Sequence, residues 1–217
     1  MLMKIGLAML IAIVALAITG IVSASEDNNV ESKCVDLICC EETAWAAQKN
    51  PGEFRFVEKG SWATYVEYDF GNQNNYTTYP LFAGKDCRAG TLWVYDDTEY
   101  ESDGKCGSGY YGSIYINYTS ATTCDCDCKD GYDGSWKGFT EYHLQVVDEF
   151  DCFEAVRTFN KKLGWGNPIP GQFDYSEEYC EIKPETGWIE VEVCGYDCNA
   201  FIAAHSVMHW CGYPESD

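Results

Sequence analysis

Trp62-Ala63-Thr64-Tyr65-Val66-Glu67-Tyr68-Asp69-Phe70 alternates without a break. In an extended chain Trp62, Thr64, Val66, Tyr68 and Phe70 share one face, and Ala63, Tyr65, Glu67 and Asp69 the other. A period of two in aromatic and β-branched residues predicts a half-buried strand. Residues 71–75 read as a turn and 76–82 as the returning strand. Residues 91–95, 110–118, 137–148 and 188–194 repeat the pattern, the first two separated by an acidic, Gly-rich loop, and 54–57 is a shorter candidate. Strands joined by short turns favour antiparallel pairing over βαβ crossovers.

Three stretches read instead as helices. Residues 32–50 carry Cys34, Leu37, Ile38 and Trp45 along one stripe, and Pro51 stops them. Asp151 caps a helix over 151–163, with Glu154 at the third position and Gly164 as the stop. Asn199 caps another over 199–212, with Gly212 and Pro214 at its end. The expected fold is therefore α+β: an antiparallel sheet core with an N-terminal helix and two helices in the C-terminal half. A single disulfide-stabilised domain is expected over 25–217.

The first residues read as an export signal. Lys4 precedes an apolar run over 5–22, and Val22-Ser23-Ala24 supplies the small residues of a cleavage site, making 1–24 the signal peptide and Ser25 the mature start. The alternatives are a retained membrane anchor, or a pilin-like leader cut near Lys4-Ile5-Gly6, whose apolar segment would lack the expected Glu. The chain has 14 Lys and Arg against 35 Asp and Glu, a formal charge of −21. That balance excludes nucleic acid, whose phosphates need basic partners, and disfavours anionic membranes. With 46% hydrophobic and 15% aromatic residues the chain can still build a core. Asn75-Tyr-Thr and Asn117-Tyr-Thr are glycosylation sequons.

Thirteen cysteines follow the signal: Cys34, Cys39, Cys40, Cys87, Cys106, Cys124, Cys126, Cys128, Cys152, Cys180, Cys194, Cys198 and Cys211. Outside the cytoplasm they read as disulfides, although the pairing cannot be deduced from spacing. An odd count leaves at least one thiol for a free, metal-bound or interchain role. Cys124, Cys126 and Cys128 share a face and are too close to pair with one another, so each should reach a different partner. A metal–thiolate cluster with Asp125, Asp127, Asp130 and Asp133 is the other reading.

Cys194, Cys198, His205, His209 and Cys211 include zinc-ligand types, and on a helix His205 and His209 would lie one turn apart. Disulfides with partly exposed histidines remain the favoured reading, with Cys198, His205 and His209 as the zinc candidates. A metalloprotease helix would need Glu where Ser206 stands. Glu99, Glu101 and Asp103-Gly104 resemble half a calcium loop, with Tyr110 where the closing Glu belongs. The charge allows weak Ca²⁺ bridging between subunits. Glu190 and Glu192 could form a glycosidase pair, but alternate strand carboxylates usually mark a solvent face. The tryptophans and tyrosines could build a sugar platform, but filling the core and cross-strand pairs is the favoured reading. No catalytic residue is assigned, and the chain reads as a non-enzyme.

An exported acidic chain with Cys34, Cys39-Cys40, Cys87, the Cys124/126/128 cluster and two sequons resembles the cysteine-rich sheath proteins of methanogenic archaea. The resemblance is compositional and transfers no functional residue. It implies an extracellular, self-associating subunit of a sheath, surface layer or fibre, locked by disulfides. The alternative is a secreted glycan- or peptide-binding or hydrolytic protein, with zinc near His205 and His209.

Overall fold

A computed structural model describes residues 38–59, 62–71, 75–84, 87–122 and 132–214. The expected export signal, residues 1–24, lies outside them. Eleven strands are described: β1 (Ile38–Ala46), β2 (Val66–Asp69), β3 (Tyr76–Ala83), β4 (Cys87–Gly104), β5 (Gly107–Ser120), β6 (Tyr132–Val147), β7 (Arg157–Asn160), β8 (Gly164–Pro168), β9 (Tyr175–Lys183), β10 (Ile189–Tyr196) and β11 (Asn199–Pro214). All pair antiparallel. The main sheet runs β10-β5-β4-β3-β1-β11-β6-β9, with β2 added on β11, while β7 and β8 form a separate hairpin.

The α+β expectation is overturned. Helical backbone among the described residues is confined to two 3-10 turns, Phe150–Val156 and Pro170–Gln172. Residues 38–46 of the expected N-terminal helix form β1, and the expected helix over 199–212 is β11. The reason lies in burial on two sides. Along β11, Ala200, Ile202 and Ala204 belong to one buried cluster and Ala203 to another, so both faces are apolar. A strand covered on both faces loses its alternation and mimics a buried helix. The expected helix over 151–163 is one 3-10 turn followed by β7. Gly164, the expected stop, is instead the first residue of β8, where it adopts φ +76° opposite Asn160.

The sheet curls into a half-barrel. Its concave side is filled by Leu81, Leu92, Ile114, Ile116, Leu144 and Ile202, all fully buried. Each contributes about 1.5–3 kcal/mol relative to exposure. Tyr118 on β5 is buried within it, and its hydroxyl donates to the His143 carbonyl on β6 at 2.9 Å. That contact joins strands far apart in the sheet order and holds the curl. Asp96 is buried on β4, where its carboxylate accepts from the Thr98 amide and hydroxyl at 2.9 and 2.6 Å and from the Gly71 amide at 3.1 Å. Three donors offset the cost of burying it.

A second layer covers the outer side of β1, β11 and β6. Trp45, Phe56, Val147, Phe153, Val156 and Phe173 form its core. Arg157 acts as a strut: Nε donates to the Gly166 carbonyl at 2.7 Å and Nη2 to the Phe56 carbonyl at 2.9 Å. Its guanidinium also lies 5.4 Å from the Phe56 ring centroid. Gln145 on β6 exchanges two hydrogen bonds with Asp174, at 2.6 and 3.0 Å, which fastens this layer to the sheet.

Candidate functional site

The β4–β5 hairpin turns at residues 105–106, and this puts Cys106 beside β10. Cys106 and Cys194 form a disulfide across 88 residues of sequence, with Cα atoms 5.8 Å apart. Gly195 makes the approach feasible: it takes φ +70°, and a Cβ there would meet Cys106 Cβ at 2.8 Å. Cys87 and Cys211 are also disulfide-bonded. Cys152, Cys180 and Cys198 are free and exposed. Burial first, and the Asp148 carboxylate second, push the Cys152 thiol above its ordinary value. At Cys198 the Asp197 carboxylate does the same. The side chains of Cys34, Cys39, Cys40, Cys124, Cys126 and Cys128 lie outside the described residues, as do those of Asp125, Asp127, Asp130 and Asp133.

The zinc candidates are not brought together. Cys198 lies in the connection before β11, seven residues from His205, and on the extended β11 His205 and His209 are about 13 Å apart. Among the described residues no three His, Cys, Asp or Glu side chains converge on a metal position. His205 faces His143 across the β11–β6 ladder instead, with ring centroids 5.5 Å apart. Both are buried, and the Nδ1 of each is without a hydrogen-bond partner. His143 Nε2 meets the Glu141 carboxylate, and the Trp45 ring lies 4.9 Å from His205. Burial, then the neighbouring His143, lowers the His205 pKa to about 3. His209 Nε2 pairs with Thr140 Oγ1 at 2.9 Å, on a register shift of β6. This His143–His205 pair is invisible to sequence reading because the residues are 62 positions apart and only the register unites them.

The calcium candidates Glu99, Glu101 and Asp103 lie exposed along β4, an extended strand rather than a ligand loop. Of the sequons, Asn75 is exposed just before β3. Asn117 is buried in β5, its side-chain oxygen accepting from Thr186 Oγ1 at 3.0 Å. No protein-family model, curated protein or solved structure matches the chain.

Glu190 and Glu192 point outward from β10, while Val191 and Val193 fill the concave side. They border a cleft of about 640 Å³ together with Lys105, Tyr111, Ser113 and Tyr175. Tyr175 belongs to β9, so the cleft lies where the two ends of the curled sheet face each other. Ser113 Oγ donates to Glu190 Oε1 at 2.8 Å, and the Tyr115 hydroxyl reaches the same oxygen at 3.4 Å. The Glu190 carboxylate is the main cause of the raised Tyr115 pKa. Glu190 is thus exposed and already accepting hydrogen bonds. A glycosidase acid needs the opposite setting, an apolar pocket that keeps its proton. The arrangement suits a hydrogen-bonding acceptor better than a proton donor.

Proposed function

We propose that the protein is an exported structural subunit of a cell-envelope assembly, joined to its copies through surface sulfur. The observation that carries this reading is the trio of exposed free thiols, Cys152, Cys180 and Cys198, on a body in which Cys87, Cys106, Cys194 and Cys211 are oxidised. Valence decides why three matter. One surface thiol can only close a dimer, whereas two or more per copy can link a chain or a network. They occupy separate elements: Cys152 a 3-10 turn, Cys180 strand β9 and Cys198 the connection between β10 and β11.

Edge-to-edge strand pairing is a weaker route to assembly. Strand β9 ends the sheet with Glu177, Glu178 and Glu181 exposed, and β10 ends it with Glu190 and Glu192. Charged edges repel a second copy. Screening by Ca²⁺ would relax that repulsion without a formed site. The secreted hydrolytic alternative lacks support from its own candidates, since His205 and His209 do not share a metal position.

Material isolated with alkylated free thiols is expected to run as high polymers on non-reducing gels and as a monomer with reductant. The variant C152S/C180S/C198S is expected to remain monomeric without reductant and to keep the wild-type melting temperature. A wild type that is monomeric on non-reducing gels would count decisively against the proposal.

A further inference from the structure

Tyr76 on β3, Tyr95 on β4, Tyr115 on β5 and Glu190 on β10 are direct cross-strand neighbours: Tyr76 pairs Tyr95, Tyr95 pairs Tyr115, and Tyr115 pairs Glu190. They form one rank across four strands on the convex face, about 14 Å long at the usual strand spacing. The rings are in contact, with centroids 5.3 Å apart for Tyr76–Tyr95 and 6.1 Å for Tyr95–Tyr115. Trp188 stacks on Tyr76 at 5.7 Å and 29°, and Trp93 meets the same ring edge-on at 6.4 Å. Tyr76 is 60% exposed and Trp188 49%. The rank ends at the cleft through Glu190, which Ser113 holds.

Large aromatics usually turn inward, and here the concave face is filled without these five. Trp93, Tyr95 and Tyr115 are half-buried between the exposed Tyr76 and Trp188 and the Glu190 end, and a contiguous aromatic surface that reaches solvent in this way marks an interaction site. Its chemistry narrows the ligand. The face of an aromatic ring is electron-rich and attracts the polarised C–H groups on one side of a pyranose. The carboxylates of Glu190 and Glu192, at the end of the rank, accept bonds from sugar hydroxyls. The surrounding acidity, −21 overall, rejects polyanionic chains. A point cation would need rings boxed around it, whereas the Tyr76–Tyr95 and Tyr95–Tyr115 rings incline by 40° and 42° along an open row. An extended ligand fits that row, which is long enough for two or three sugar rings.

We infer that this face binds a neutral oligosaccharide, with Trp188, Tyr76, Tyr95 and Tyr115 as the stacking platform and Glu190 as the hydrogen-bonding end. The inference is independent of thiol cross-linking. It places a second function on the opposite side of the sheet from the concave core.

The test uses the full chain and tryptophan fluorescence or calorimetry. The probes are cellohexaose, xylohexaose, mannohexaose and chitohexaose, with polygalacturonate as the anionic control and hexalysine as the cationic one. At least one neutral hexaose is expected to bind, polygalacturonate not at all. Both W188A and Y76A should weaken binding at least about tenfold, as loss of an aromatic anchor does. E190Q should weaken it less, and all three should keep the wild-type melting temperature because the side chains face solvent. Failure of every neutral hexaose, binding of hexalysine alone, or unchanged affinity in both W188A and Y76A would each overturn the assignment.

Discussion

The double variant Cys106→Ser, Cys194→Ser is expected to melt about 10 °C below the wild type. The bridge closes a segment of 88 residues in the unfolded chain. Loops of that size carry a nominal stabilisation of about 4–5 kcal/mol, and measured values more often fall near 2–4. For a domain of this length each kcal/mol moves the melting temperature by about 2–4 °C. Position amplifies the effect. Strand β10 has a single strand neighbour, β5, among the described residues, so the bridge fastens an edge strand that would otherwise fray. Calorimetry at neutral pH checks the shift. A reductant should lower the wild type further than the double variant lies below it, since Cys87 and Cys211 are also bridged. A double variant melting with the wild type would mean that the β10–β5 ladder alone holds the edge.

The sequence exposes this fold where a strand has one wet face and hides it where both faces are dry. Strands β3 and β10 match the alternation read at 76–82 and 188–194 to within a residue or two, because Tyr76, Glu190 and Glu192 mark the solvent side. Strands β4 and β5 are legible only in part. The acidic stretch between them, read as a loop, is strand almost to the tip, because Glu99, Glu101 and Asp103 are all exposed and no apolar partner sets a period. In β1 and β11 the signal is reversed. Ala44 and Trp45 enter different buried clusters, and the run from Ala200 to Ala204 is apolar throughout. Periodicity then has nothing polar to count, and Asn199 and Asp151 resemble helix caps. The quoted segment 62–70 itself is only partly regular: Val66–Asp69 pairs with β11, and Thr64 makes an isolated bridge to Arg55. The aromatic rank was not legible, because the tyrosines of each strand read equally as core. Nor was its alignment, because register is a property of pairing and not of any one strand.

Register also makes the stability of this protein depend on pH. The folded state keeps His205 neutral, with a pKa lowered to about 3 by burial and by His143 opposite. The unfolded chain takes up that proton near the ordinary value of about 6.5. Between these values the unfolded state therefore binds more protons than the folded state, so stability must rise with pH and fall on acidification. The slope approaches about 1.4 kcal/mol per pH unit, giving a loss of roughly 3 kcal/mol at pH 4 relative to pH 7. The other titratable groups of the cluster are His143, its neighbour, and Glu141, which faces His143. Trp45 and Phe173 complete the surroundings and carry no charge. Carboxylates elsewhere also titrate in this range, so the informative quantity is a difference between proteins. The variant His205→Gln stays neutral at every pH and should lose stability more gently between pH 6.5 and 4. Urea unfolding at pH 7, 5 and 4 measures both curves. If they run parallel, the proton taken up on unfolding does not belong to His205, and the dry histidine pair between β6 and β11 is not what ties this fold to neutral pH.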